Sequence, residues 1–320
     1  MRILTLNIIL VVSGLCACGQ SNEQVSPTPA PASDVAAALD NGEDSEVDES
    51  NVHEGPLPKN ALVTLEVNGV DRQYRLYVPN VHPPEGLPLL VLVHGGSGRS
   101  EPFPQESRFH QLAETESVII AHPLAELLPG NEGEWQLNTA PDSRQDIEFM
   151  GAMIDQIATH YVVDAKRIYA SGYSLGSMFT YELACHASDR FAAIASHAGT
   201  MPVSPNSCEP DPNVAVMHIH GRDDWIISYD DTWDWKSWDE VGTMMNIPGL
   251  VAYWSDKYNC QGSGQSTAGS STHQVHESCD DGVRVEHHAL TGVGHEWPES
   301  IDGISTHQVI WSFVSGFSKP

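Results

Sequence analysis

Apolar residues recur along this chain with two periods, and the two alternate. Leu87–Val93 is almost continuously apolar, as are 214–219 and much of 283–290, and 167–171 is a shorter β-prone run. A strand covered on both faces has no need of alternating polar positions, so these runs predict buried parallel strands. Between them Met150, Met153, Ile154, Ile157 and Tyr161 stand three or four apart. That spacing predicts an amphipathic helix over 145–160 whose methionines are core residues and not a cofactor-binding stripe. Val309, Ile310, Phe313, Val314 and Phe317 repeat the pattern near the carboxyl end, and this last helix is expected to cover the sheet. Strands alternating with helices predict a single α/β domain over 59–320, its mostly parallel sheet covered on both faces. No internal repeat is evident.

Candidate chemistry falls where those strands end. Gly172-Tyr173-Ser174-Leu175-Gly176 lies between the run at 167–171 and a helix-like segment beginning at Met178. A strand-to-helix turn this sharp needs small residues two before and two after the serine, and leaves its hydroxyl exposed at the sheet's carboxyl edge. Ser174 is therefore the candidate nucleophile. In the order Ser, then acid, then His, the chain offers Asp224 after the strand at 214–219 and His295 within Gly292-Val293-Gly294-His295. Asp223, Asp230 and Asp231 compete with Asp224 as solvated loop acids, and His287 and His288 compete with His295 as strand-face residues. His94 and His220 each close a strand and are read as structural, hydrogen-bonded histidines. Ser97, Ser171 and Ser177 lie near the site without being the nucleophile. His94-Gly95-Gly96-Ser97-Gly98 follows Leu87–Val93 as an oxyanion-hole loop.

Tyr74-Arg75-Leu76-Tyr77-Val78-Pro79, Val93-His94-Gly95-Gly96, Ser171-Gly172-Tyr173-Ser174-Leu175-Gly176, His220-Gly221-Arg222-Asp223-Asp224 and Gly294-His295-Glu296-Trp297-Pro298 occur in that order. In these blocks the chain resembles secreted α/β-hydrolase esterases, specifically the polyhydroxybutyrate depolymerase and feruloyl esterase group, over about residues 61 to 317. The resemblance implies the α/β-hydrolase fold and ester hydrolysis, and it favours Asp224 as the acid. His295 would take the proton of Ser174 during attack on an ester carbonyl, with Asp224 holding the imidazole, and water would then release the acyl group. The oxyanion would be held by the backbone N–H of Leu175 and by one from the loop, for which Gly96 is chosen over Gly95 and Ser97. Two departures from the group stand out. Ser177 occupies a position where a further glycine is common, and the oxyanion loop lacks the cysteine of many depolymerases. The second weakens a polyester substrate relative to a general ester.

The amino-terminal segment carries a different signal. Arg2, the short apolar stretch 3–15 and Leu15-Cys16-Ala17-Cys18 resemble a bacterial lipoprotein signal, with Cys18 the first mature, lipidated residue. The bland alternative is a plain secretory peptide. Residues 19–58 hold nine carboxylates, no Lys or Arg and few large apolar residues, so they are expected to form a disordered acidic and Pro-rich tether. The mature protein is expected outside the cytoplasm, at the cell envelope on the outer membrane or secreted. Of the formal net charge of −28, residues 59–320 carry −20, which excludes nucleic acid and anionic polymers as partners and points to neutral substrates. Cys185, Cys208, Cys260 and Cys279 suit an oxidising compartment and allow three connectivities. Pairing Cys185 with Cys208 and Cys260 with Cys279 is favoured; the second bridge would close a Gly-, Ser- and Thr-rich loop at 261–272. No C-x-x-C pair or matched histidine spacing points to zinc, the sixteen histidines are read as mostly surface or loop residues, and no cofactor or metal is expected.

Trp225, Trp233, Trp235 and Trp238 follow the acid loop directly. Exposed, they offer flat faces to a sugar, an aromatic acyl group or a polyester chain; buried, they are core or lid. Trp225 and Trp297 are the chosen cleft residues, with Trp135 a further candidate. The leading function is a surface-anchored serine esterase acting on feruloyl or acetyl esters of plant polymers, or on short hydroxyacid esters and polyesters. The alternatives are a non-catalytic polymer-binding lipoprotein on a hydrolase scaffold, and a peptidase or acyltransferase using the same three residues.

Overall fold

A computed structural model describes residues 57, 59–128, 131–234 and 241–320. The export signal with Cys18, most of the acidic tether, Trp235 and Trp238 lie outside the described residues.

Ten strands form one sheet. We number them β1 (Ala61–Val67), β2 (Val70–Tyr77), β3 (Leu87–Val93), β4 (Ile119–Pro123), β5 (Val163–Tyr173), β6 (Ala193–His197), β7 (Ala215–Gly221), β8 (Gly262–Ala268), β9 (Ser271–Glu277) and β10 (Val285–Leu290). Their order across the sheet is β1-β2-β4-β3-β5-β6-β7-β10-β9-β8. The six strands from β4 to β10 run parallel, and antiparallel neighbours extend the sheet on both sides. The continuous apolar runs are the central strands, as their composition requires: every residue of β3, β6, β7 and β10 is buried. β8, by contrast, is an edge strand whose sequence Gly-Ser-Gly-Gln-Ser-Thr-Ala exposes hydroxyl and amide side chains, which leaves little apolar surface for a second sheet to add to.

Among the described residues the four longest helices pack on the sheet, α1 (Gln145–His160), α2 (Leu175–His186), α3 (Ile247–Lys257) and α4 (Thr306–Val314). α1 has the bounds its periodicity predicts, and it buries Phe149, Met150, Met153, Ile154 and Ile157. At roughly 2 kcal/mol for each large side chain removed from water, those five contribute on the order of 10 kcal/mol. A charged clasp joins α1 to the sheet. Asp146 accepts hydrogen bonds from Arg72 Nη2 at 2.7 Å and from Gln136 N at 2.7 Å, and both charged side chains are buried. On the same face Trp254 of α3 stacks on Tyr181 of α2. On the opposite face Trp311 of α4 packs edge-on against Tyr169 of β5.

Both favoured disulfides are present, Cys185 to Cys208 and Cys260 to Cys279. The first ties the end of α2 to the segment before β7. The second corrects an expectation, because the stretch at 261–272 is not a loop: it forms β8 and the start of β9, paired as a hairpin from Gly262 opposite Glu277 to Ala268 opposite Ser271. β9 also pairs with β10, from Ser271 opposite Leu290 to His276 opposite Val285, so its backbone groups are satisfied on both edges. The bridge therefore staples the foot of a hairpin.

A candidate serine hydrolase site at the carboxyl edge

The strand order reverses between β3 and β5, since the chain leaves β3 for β4 on one side and returns to β5 on the other. Loops leaving the carboxyl ends of two such strands diverge and open a crevice. His94 and Gly95 stand at the end of β3 and Ser174 at the end of β5. Ser174 has φ 54° and ψ −121°, a strained conformation held by its surroundings. Gly172 and Gly176 make it possible. A Cβ at Gly172 would overlap the backbone of Gly176, and one at Gly176 would overlap the carbonyl oxygens of Val93 and His94. Ser177, the departure at the next position, is accommodated by Gly199: a Cβ there would collide with the Ser177 hydroxyl, which itself hydrogen-bonds Ser196.

The three sequence candidates meet. Ser174 Oγ lies 2.9 Å from His295 Nε2, and His295 Nδ1 lies 2.8 Å from Asp224 Oδ2. The other Asp224 oxygen accepts from the N–H groups of Ile226 and Ile227 at 2.9 and 2.8 Å. Burial alone would raise the Asp224 carboxyl, but the hydrogen bonds from His220, His295 and Ile227 outweigh it and hold it well below the ordinary carboxylate range. With its acceptor ionised, His295 carries its proton on Nδ1 and presents a lone pair to Ser174. Asp223, Asp230 and Asp231 are exposed. His287 and His288 are buried in β10. The two loops are fastened together by backbone bonds from Arg222 N to Leu290 O at 2.8 Å and from Asp223 N to Val293 O at 3.0 Å. α4 steadies the far side, where Thr306 N bonds Glu299 O at 3.2 Å.

α2 begins at Leu175, so the Leu175 N–H is among the donors a helix start leaves free of intrahelical partners. Gly96 approaches the Leu175 side chain at 3.4 Å, measured from an ideal Cβ position. The loop carrying Gly96 is anchored by His94, whose Nε2 accepts from Ala125 N at 3.1 Å and whose Nδ1 therefore donates to Gly95 O at 2.6 Å. Trp135 belongs to this anchor and not to the cleft surface. It is 1% exposed, donates to His94 O at 2.9 Å and stacks on Phe179.

Beside His295 lies a cleft of about 490 Å³ lined by Arg99, Glu106, Tyr173, Trp225, Glu296 and Trp297, among others. Trp225 is 81% exposed. Trp297 is half-buried against Phe103, Tyr173 and His197. Arg99 pairs with Glu106 and sits over the Tyr173 ring, a charged wall that no motif in the sequence marks. Tyr173 also donates its hydroxyl to His295 O, bracing the loop from below.

Histidine placement departs most from expectation. Of the fifteen described histidines eight, His94, His122, His197, His218, His220, His287, His288 and His307, are buried. Six stand on strands, His94 follows β3 and His307 lies in α4. His220, read from sequence as structural, places Nε2 3.2 Å from Asp224 Oδ2. His273, Glu286 and His288 bring one ligand atom each within 4.8 Å of one another, yet the two rings are stacked 4.1 Å apart and 6° from parallel. Lone pairs in parallel planes do not converge on one ion, and Glu286 is already engaged by His273 and Arg284.

The fold and this arrangement define the class, an α/β-hydrolase. Residues 72–252 match the family model described as esterase PHB depolymerase, and the chain belongs to that family. It is a carboxylic ester hydrolase. It is 28% identical to NocK of Nocardia uniformis subsp. tsuyamanensis, named as an esterase, over 91% of this chain and 87% of that one. It is also 28% identical to the bifunctional acetylxylan esterase/xylanase XynS20E of Neocallimastix patriciarum, over 77% of this chain but only 33% of that longer protein. Other relatives bear the names feruloyl esterase and poly(3-hydroxybutyrate) depolymerase. Among solved structures, acetyl xylan esterase from Aspergillus awamori shares the fold with a TM-score of 0.59 at 16% identity, over 80% of this chain and 99% of that one. Among the described residues no helix is long and apolar enough to cross a membrane, and the two disulfides fit an oxidising compartment.

Proposed function

We propose that this protein is an extracytoplasmic serine esterase that works through an acyl-enzyme on Ser174, with acetyl or feruloyl esters of plant polymers as its substrate class. The observation that carries the reading is the unbroken line Ser174 Oγ, His295 imidazole, Asp224 carboxylate, at 2.9 and 2.8 Å, opening beside an aromatic cleft. His295 Nε2 takes the Ser174 proton as Oγ attacks the ester carbonyl, and Asp224 stabilises the imidazolium. The N–H groups of Leu175 and Gly96 receive the oxyanion, each such donor being worth about 3 kcal/mol. His295 returns the proton to the departing alcohol, and a water repeats the cycle to free the acid. Trp225 and Trp297 supply ring faces for the sugar or the aryl acyl group. Short hydroxyacid esters fit the same chemistry. Cys18 carries the lipid that holds the enzyme at the envelope, with residues 19–58 as its tether.

Hydrolysis of p-nitrophenyl acetate and methyl ferulate by the protein and by Ser174→Ala tests the chemistry. Turnover that vanishes in Ser174→Ala is expected, and the ratio of the two rates separates a short-acyl from a feruloyl preference. A wild type as inert as the variant on both esters would refute the reading. Labelled fatty acid on the full-length protein, absent from Cys18→Ala, tests the anchor.

A further inference from the structure

Behind the Asp224 carboxylate the hydrogen bonding does not stop. His220 Nε2 lies 2.9 Å from Ile227 O and 3.2 Å from Asp224 Oδ2. His220 Nδ1 lies 3.0 Å from His218 Nε2, and His218 Nδ1 lies 2.7 Å from the Tyr181 hydroxyl. Tyr181, His218 and His220 are all at most 1% exposed. They stand on two elements, α2 and β7, that the fold must bring together in any case.

The direction of every bond follows from chemistry. Both atoms facing His220 Nε2 are oxygens that only accept, so that nitrogen carries the hydrogen. In a neutral ring Nδ1 is then a lone pair, which requires the hydrogen of His218 to sit on Nε2. His218 Nδ1 is left as an acceptor, and the Tyr181 O–H donates to it. Burial first, then the neighbouring His220, His287 and His197, hold His218 well below the ordinary histidine range and keep it neutral. The groups around the line are His197 on β6, His287 on β10 and Tyr229, whose ring lies under Arg222. His287 donates Nδ1–H to the His218 carbonyl at 3.0 Å and accepts from the Tyr229 hydroxyl at 2.9 Å, so it supports the backbone of the line without entering it.

We infer that His220 is a positioning residue for Asp224, its Nε2–H tautomer set by a one-way line of donors that begins at Tyr181 and passes through His218. The inference rests on the proposed roles of Ser174, His295 and Asp224. The consequence is orientational. Asp224 Oδ2 is held by His220 on one side and His295 on the other while Oδ1 is pinned by two backbone N–H groups, so the carboxylate cannot turn and His295 keeps its lone pair on Ser174.

Two measurements test this. The ¹⁵N shifts of the histidine side chains in the intact protein at pH 8 should report a hydrogen on Nε2 and a lone pair on Nδ1 at both 218 and 220; an Nδ1–H at either position overturns the line. In kinetics on p-nitrophenyl acetate, His220→Leu should lower kcat by about 10- to 100-fold with little change in KM, the range found for the analogous partners that orient metal-bound side chains. His220→Gln, which returns an N–H to the Nε2 position, should recover most of the loss. A glutamine variant no better than leucine would make the effect one of packing, and an undiminished leucine variant would remove it altogether. Ser174→Ala run in parallel separates the two readings: a wild type without serine-dependent turnover sinks the esterase, while the nitrogen shifts still decide the tautomers.

Discussion

Acidification should destabilise this protein far above the range in which its carboxylates titrate. Burial is the first cause at three histidines. It lowers His122 to about 3, helped by His110, His94 and Arg75. It lowers His287 to about 3, against a raising hydrogen bond to the His218 carbonyl, and His288 to about 4, with His273 beside it. In the unfolded chain each returns to an ordinary value of about 6.5. Between the two values the unfolded state binds a proton that the native state refuses, so stability is fully present above pH 6.5 and falls as pH is lowered toward 3. At pH 5.0 each group has forfeited about 2 kcal/mol, or about 6 kcal/mol for the three, against a typical total of 5–15 kcal/mol. His197 and His218 are displaced in the same direction and add to the loss. Asp224 has the opposite chemistry: held low, it contributes stability that is lost only below the ordinary carboxylate value, so it is silent at pH 5. The assay is urea unfolding followed by tryptophan fluorescence, in enough salt to screen the net acidic charge. With a slope of about 3 kcal/mol/M, these three groups alone should lower the midpoint by about 2 M between pH 7.5 and 5.0. His122→Phe, in a pocket already lined by Tyr77 and Phe103, should remove about 0.7 M of that fall. A midpoint that moves by less than about 0.5 M in the wild type would refute the reasoning.

Gly199→Ala should cost about 1–3 kcal/mol through overlap with the Ser177 side chain and the Met178 backbone nitrogen, and Ser177→Gly in the same chain should restore part of the loss of Tm, the backbone overlap remaining; no restoration would place the strain elsewhere. Replacing Cys185 and Cys208 together by alanine opens a closure of 23 residues, which chain entropy values at about 3 kcal/mol, to be read from the denaturation midpoint against the bridged protein. Arg72→Met should cost about 3–5 kcal/mol because it strands the buried Asp146 carboxylate. Asp146→Asn added to it should be milder than the single change, and additive losses would contradict the pairing.

Much of the candidate site could be read from the chain because its parts are local. A strand-to-helix turn at Ser174 has to be flanked by Gly172 and Gly176, since the backbones of Val93, His94 and Gly176 crowd it, and so the sequence displays it. The acid and the base follow strands whose apolar composition marks them, and Asp224 differs from Asp223 in being buried; the chain order left the two open, and it was the resemblance that favoured Asp224. Helix α1 was legible to its ends for a similar reason: its apolar stripe faces one continuous surface.

What the sequence by itself determined is thus the position of each strand and helix that has one apolar period, the turn that must be glycine-flanked, and the cysteines able to pair. Only tertiary structure decided the fate of groups whose chemistry is the same in either setting. A histidine reads alike on the surface and in the core, and eight were buried by neighbours distant in sequence. Trp135 became an anchor because His94 O needs a donor. The polar stretch at 261–272 became strand because β10 offered its partner an edge. His220 stands behind Asp224 because the chain turns at the end of β7, where Asp224 N bonds Gly221 O at 3.4 Å. Local patterning selects elements through backbone sterics and apolar periodicity; which polar group meets which depends on packing that only the completed sheet supplies.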